Sequence, residues 1–141
     1  MQGGSPDSAE CWRKCGVGMA DHFHVFWSCP AIQTYWQNII SEITTVMQFE
    51  IDISFTTFYL CNINEDLTTP DKYLLKILLV AGKKAITKKW LDDAPPSVGE
   101  WTAIVQNICE MEKLTFSVRL CIDKYYKYWS KWLLHKGLYV L

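Results

Sequence analysis

The sequence predicts a mainly α fold, a helical domain behind a short cysteine-rich N-terminal element. Three observations lead there. Apolar residues recur at helical spacing through most of the chain beyond residue 31. Threonine, proline and serine signals stand where helices would begin. Three of the six cysteines and two of the three histidines fall within residues 11 to 29. Half of the 141 residues are hydrophobic and seven are tryptophan, enough for one domain with a real core. The expected organisation is a disordered N-terminus (1–10), a knuckle (11–30), a helical domain (31–136) and a tail (137–141).

The first ten residues, "MQGGSPDSAE", are glycine, serine, proline and acids ahead of any aromatic, and read as a frayed entry. The next nineteen, "CWRKCGVGMADHFHVFWSC", place Cys11, Cys15, His24 and Cys29 in the spacing C-x3-C-x8-H-x4-C. Three thiolates and one imidazole form a familiar tetrahedral zinc set, and Gly16 and Gly18 let the intervening loop fold back tightly. His22 competes with His24. In an extended segment the two share a face, so the backbone permits either as the fourth ligand. A disulfide framework suits small secreted domains, whereas this tryptophan-rich chain has no need of such staples. Four protein ligands also close the metal site, while a catalytic zinc keeps a position open for water. No H-E-x-x-H run or deaminase H-x-E signature occurs, so the zinc is expected to be structural and the chain not an enzyme. Cys61, Cys109 and Cys121, isolated on apolar segments, read as core thiols. The predicted architecture is thus mainly α, a helical domain with an N-terminal zinc-stapled knuckle or short hairpin.

Beyond Pro30, "AIQTYWQNIISEITTVM" spaces Ile32, Tyr35, Trp36, Ile39, Ile40, Ile43, Val46 and Met47 along one helical face. The run "EIDISFTTFYLCNINEDL" is β-branched, aromatic and partly alternating, and reads as a short strand or an irregular buried connector. Thr69 as N-cap and Pro70 at the first helical position open a central helix that is apolar almost all round from Tyr73 to Ala81. "DDAPPS" breaks it. Ser97 and Glu100 then form an S-x-x-E capping box, opening a helix with Trp101, Ile104, Val105, Ile108 and Met111 that extends toward Leu120. In "DKYYKYWSKWLLH", Tyr125, Tyr128, Trp129 and Trp132 recur at helical spacing, and Gly137 ends the element.

The net charge of −1 conceals an asymmetry. Residues 1 to 71 carry nine acids against two bases, and the remainder twelve bases against six acids. Lys76, Lys83, Lys84, Lys88 and Lys89 lie on one predicted helix with no acid from residue 72 to 91. Lys124, Lys127 and Lys131 interleave with tyrosine and tryptophan, and Arg13 and Lys14 stand inside the knuckle. Phosphates need cations and unpaired bases stack on rings, so this composition suits single-stranded or structured RNA. The alternative is a solvated lysine face with the aromatics turned to the core. Trp12, Phe26 and Trp27 divide in the same way between stacking a base and packing the knuckle onto the helices. With no charge-free run of about 20 apolar residues and no hydrophobic leader, a membrane span and secretion are not expected. The expected location is intracellular, in the cytoplasm or nucleus.

Taken together, "CWRKCG", "HVFWSCP", "AGKKAITKKW", "PPSVGEW" and "MEKLTFSVRL…DKYYKYWSKW" give the chain a resemblance to a known family. Over about residues 9 to 136 it resembles the extreme C-terminal segment of LINE-type (non-LTR) retrotransposon reverse-transcriptase proteins. The ordered series of blocks carries the resemblance more than the cysteine pattern does. It implies zinc ligation by Cys11, Cys15, His24 and Cys29, and a role in binding RNA or DNA without a small-molecule substrate. The family's polymerase signature "ADD" and its endonuclease domain lie upstream of this segment and are not in this sequence. The resemblance therefore implies a noncatalytic fragment, a truncated copy or a reading frame from one. A competing expectation is a structural or protein-interaction module that packs on the parent polymerase domain, binds no nucleic acid and exposes an apolar patch.

Overall fold

A computed structural model describes residues 30–49, 67–89 and 94–138. These form four helices and, among the described residues, no strand: α1 (Pro30–Met47), α2 (Thr69–Lys88), α3 (Val98–Val118) and α4 (Ile122–His135). Every helix packs against the other three. The mainly α prediction is met. The predicted knuckle ligands and the strand-or-connector over 50–66 lie outside the described residues.

α1 buries Ile32, Tyr35, Trp36, Ile39, Ile43, Val46 and Met47, the face that its spacing predicts, with Ile40 half-buried at the edge. It ends where Gln48 turns into the left-handed region at φ 65°, while its amide still donates to Thr44 O at 2.9 Å. α2 starts one residue earlier than the sequence suggested. Thr68, not Thr69, is the N-cap: its backbone is extended, and its hydroxyl accepts from the Asp71 amide at 3.3 Å. Adjacent threonines have the same capping chemistry, so geometry alone decides between them. α2 buries Leu74, Leu75, Leu78, Leu79, Ala81, Gly82, Ala85 and Ile86, and leaves Lys76, Val80, Lys84, Thr87 and Lys88 exposed.

Gly82 brings α1 and α2 close together. Tyr35 Oη donates to the Gly82 carbonyl at 2.8 Å, and a Cβ on Gly82 would sit 2.9 Å from Cζ3 of the buried Trp36 ring. Ser97 caps α3 as predicted, accepting from the Glu100 amide at 3.1 Å. The helix stops at Val118 through Leu120, whose φ of 59° lets Cys121 N donate to Phe116 O and Leu120 N to Ser117 O. This is a Schellman closure built on leucine. α4 ends in the same closure built on the predicted glycine. Gly137 has φ 71°, Leu138 N donates to Leu133 O, and Gly137 N donates to Leu134 O.

The fully buried Trp101, Trp129 and Trp132 fill the centre of the core, and each indole N–H has an acceptor. Trp101 donates to Leu78 O at 3.0 Å, Trp132 to Gln106 Oε1 at 2.9 Å and Trp129 to Glu112 Oε1 at 2.9 Å. Glu112 also accepts from the Tyr73 hydroxyl at 2.7 and 2.8 Å, so one carboxylate ties α2, α3 and α4 together. Tyr73 in turn stacks on Tyr128 at 4.4 Å between centroids. Cys109 is buried against the Tyr125 hydroxyl at 3.1 Å, and burial pushes its thiol above the ordinary value. It is a core thiol, as its apolar surroundings in the sequence suggest. Cys121, also a free thiol, is half-buried at the N-cap of α4, and Cys61 lies outside the described residues.

Candidate nucleic-acid interface

The outer face of α2 carries the densest positive charge among the described residues. Lys76, Lys84 and Lys88 are exposed, with Val80 and Thr87 between them and the half-buried Lys83 alongside. Successive steps of three or four residues keep them on one side of the helix, since 3.6 residues make a turn. From Lys76 to Lys88 the face runs about 18 Å at 1.5 Å per residue. It is positive because the buried side of α2 from Leu74 to Ile86 is apolar, leaving the lysines the solvent side.

Toward its C-terminal end this face borders a cleft of about 410 Å³ between α2 and α3. α2 contributes Lys84, Ala85, Lys88 and Lys89, and α3 contributes Glu100, Ala103, Ile104 and Asn107. The two helices run antiparallel here. Lys89 Nζ meets Glu100 Oε1 at 3.1 Å, and Trp101 reaches back to Leu78. The cleft therefore has cations on one wall, an amide and apolar groups on the other, and an ion pair at one end. Little in the sequence of α3 announces its contribution. Its only sequence signal is the Ser97–Glu100 cap, which sets where α3 begins and so which residues face α2.

The remaining predicted contacts divide. Lys124 and Lys127 are exposed on α4. Lys131 is turned inward: its ammonium bonds Asp71 Oδ1 and the Met47 carbonyl, both at 3.0 Å, and lies 5.0 Å from the centre of the Phe49 ring. It pins α4 to the start of α2 and the end of α1, where a cation also suits the negative end of the α1 dipole. The aromatics interleaved with these lysines belong to the core. Tyr125, Trp129 and Trp132 are buried, and Tyr126 and Tyr128 half-buried against them. Arg13 and Lys14, together with Cys11, Cys15, His22, His24 and Cys29, lie outside the described residues.

Burial also governs the tyrosine chemistry. Desolvation lifts the phenols of Tyr35, Tyr73 and Tyr125 well above their ordinary value of 10.0. Glu100 adds to the effect at Tyr35, and the hydrogen bond to Glu112 adds at Tyr73. All three stay neutral near neutral pH, so the local field at the α2 face comes from its lysines and nearby carboxylates. No helix among the described residues is long and apolar enough to cross a membrane.

Fold and face together define a mainly α domain with a lysine-rich outer helix. No protein-family model matches the chain, and no solved structure matches it.

Proposed function

We propose that this chain is a noncatalytic nucleic-acid-binding module, the C-terminal piece of a LINE-type retrotransposon polyprotein, which holds single-stranded RNA or DNA largely without regard to sequence. The observation that carries the reading is the acid-free lysine face of α2, Lys76, Lys84 and Lys88, running along solvent beside an open cleft. Such a face attracts a polyanion by releasing its counterions, which needs no base-specific contact. Lys83 stands alongside it and Lys89 borders it in its ion pair with Glu100; Lys124 and Lys127 offer exposed charge on α4, and Arg13 and Lys14 would add charge from the knuckle.

Three thiolates and an imidazole are the donor set of a closed structural zinc site, and Cys11, Cys15, His24 and Cys29 would hold the metal. Zinc supplies folding energy to the knuckle there and leaves no open position for chemistry. The experiment is retention of single-stranded RNA by the zinc-loaded chain. Retention at roughly 50 mM salt that falls steeply as salt rises is expected, and absence of retention at that salt overturns the reading.

A second reading, a protein-interaction module, is favoured by one specific feature. Met111, Leu114 and Val118 lie at i, i+3 and i+7 on α3 with exposures of 61, 67 and 75 %, and Leu120 in the turn that follows is 93 % exposed. An apolar stripe of that kind is uncommon on a monomer without a binding role. It predicts association of the isolated chain and no salt-dependent retention on polynucleotides.

A further inference from the structure

The cleft between α2 and α3 combines features that phosphate binding alone does not call for. Lys84 and Lys88 supply cations from an exposed edge, as a phosphate requires. The opposite wall is different in kind. Ile104 is buried, Ala103 is small and exposed, and the Asn107 amide stands one helical turn beyond Ala103 on the same side of α3, while the buried Ala85 forms the floor between the lysines on α2. Glu100, tied to Lys89 at 3.1 Å, sets a negative oxygen at the Lys89 end of the cleft and discourages a second phosphate there. The volume, about 410 Å³, lies within the range of clefts that bury small organic ligands.

We propose that this cleft seats one unpaired nucleotide of a bound strand. The backbone phosphate rests on Lys84 and Lys88, and the flat base packs against Ala85, Ala103 and Ile104. Asn107 offers one acceptor and two donors to the edge of the base, making it the residue that sets any preference among bases. The inference rests on the nucleic-acid reading above and adds to it a contact with the base itself. Small side chains at 85 and 103 are what make room for the base; larger ones would close the gap and leave only a charged surface.

The test uses the full, zinc-loaded chain and fluorescence anisotropy with labelled ten-nucleotide single strands. The probes are oligo-U, oligo-A, oligo-C and an abasic strand with the same number of phosphates. The wild type should bind the best base-bearing strand about tenfold more tightly than the abasic one, the scale of one base contact. Ala103→Trp, which fills the cleft from an exposed position, should bring that strand down to the abasic level without changing the slope of log affinity against log salt. Asn107→Ala should compress the differences among U, A and C strands while leaving the abasic affinity unchanged. Melting curves for both variants confirm that they remain folded.

Equal wild-type affinity for base-bearing and abasic strands overturns the inference and leaves the nucleic-acid reading standing, as does tight base-dependent binding that survives Ala103→Trp. Failure of the wild type to bind any probe overturns both.

Discussion

Replacing Gly82 with alanine sets two effects of opposite sign against each other. Glycine inside a helix is worse than alanine by about 0.8–1 kcal/mol, so on propensity alone Gly82→Ala should stabilise the protein. The surroundings argue otherwise. The new methyl carbon would meet the Trp36 ring at 2.9 and 3.2 Å, well inside the 3.5–4.0 Å at which carbons rest. Trp36 is 3 % exposed, and Tyr35 beside it is fixed by its bond to the Gly82 carbonyl, so the ring cannot swing into solvent. Separating α1 from α2 to relieve the clash lengthens that bond and loosens the packing between their buried faces. Overpacking of this sort costs about 1–3 kcal/mol, which after the propensity gain leaves between no net change and a loss of about 2 kcal/mol. Urea unfolding followed by tryptophan fluorescence measures it directly. A variant more stable than the wild type by about 1 kcal/mol would refute the close approach of α1 and α2 at this position, because propensity would then have won.

Three further outcomes follow from the packing. Glu112→Ala strips the acceptor from both Tyr73 and Trp129 and should cost about 2–4 kcal/mol in chemical denaturation, whereas a loss below about 1 kcal/mol would contradict the carboxylate bridge. Leu120→Gly relieves a leucine held at φ 59° and should be neutral to about 1 kcal/mol stabilising, because left-handed strain outweighs the extra freedom of glycine in the unfolded chain; a clear loss of stability would contradict the closure of α3. The third concerns alkaline pH. Tyr35, Tyr73 and Tyr125 keep their protons in the folded state above the pH at which an unfolded chain releases them. Their contribution is therefore complete below about pH 10 and is lost as pH rises further. Absorbance at 295 nm should show these three of the seven tyrosines ionising only together with unfolding.

The sequence signals that survived in three dimensions are those set within one helix. The seven apolar positions of α1, the Ser97 cap and the Gly137 ending depend on neighbours three or four residues away, and all are where the spacing puts them. Features set between helices were not legible. Nothing local separates Lys131, pinned by Asp71 and Met47, from the exposed Lys127 four residues earlier. Nothing local says that Gly82 faces an indole, or that Ala103 and Asn107 face the lysines of α2. The interleaved tyrosines and tryptophans of α4 likewise suited a stacking surface or a core, and the packing of four helices around three indoles draws them inward. Leu120 was concealed for a different reason: leucine gives no signal for a left-handed turn, so the sequence allowed α3 to run on. The proposed zinc knuckle, the part of the candidate site most visible as a motif, lies outside the described residues and rests on its donor set alone.

The central claim is that the exposed lysines of α2 contact phosphates. Lys76, Lys84 and Lys88 point to solvent, so reversing all three to glutamate should leave the melting temperature nearly unchanged. The deciding measurement is the affinity of the zinc-loaded chain for a single-stranded RNA across a salt series. If the three lysines each meet a phosphate, log affinity against log salt should become shallower by about 2, at roughly 0.7 per contact, and affinity at low salt should collapse. A folded triple variant that keeps both the wild-type slope and the wild-type affinity would contradict the account.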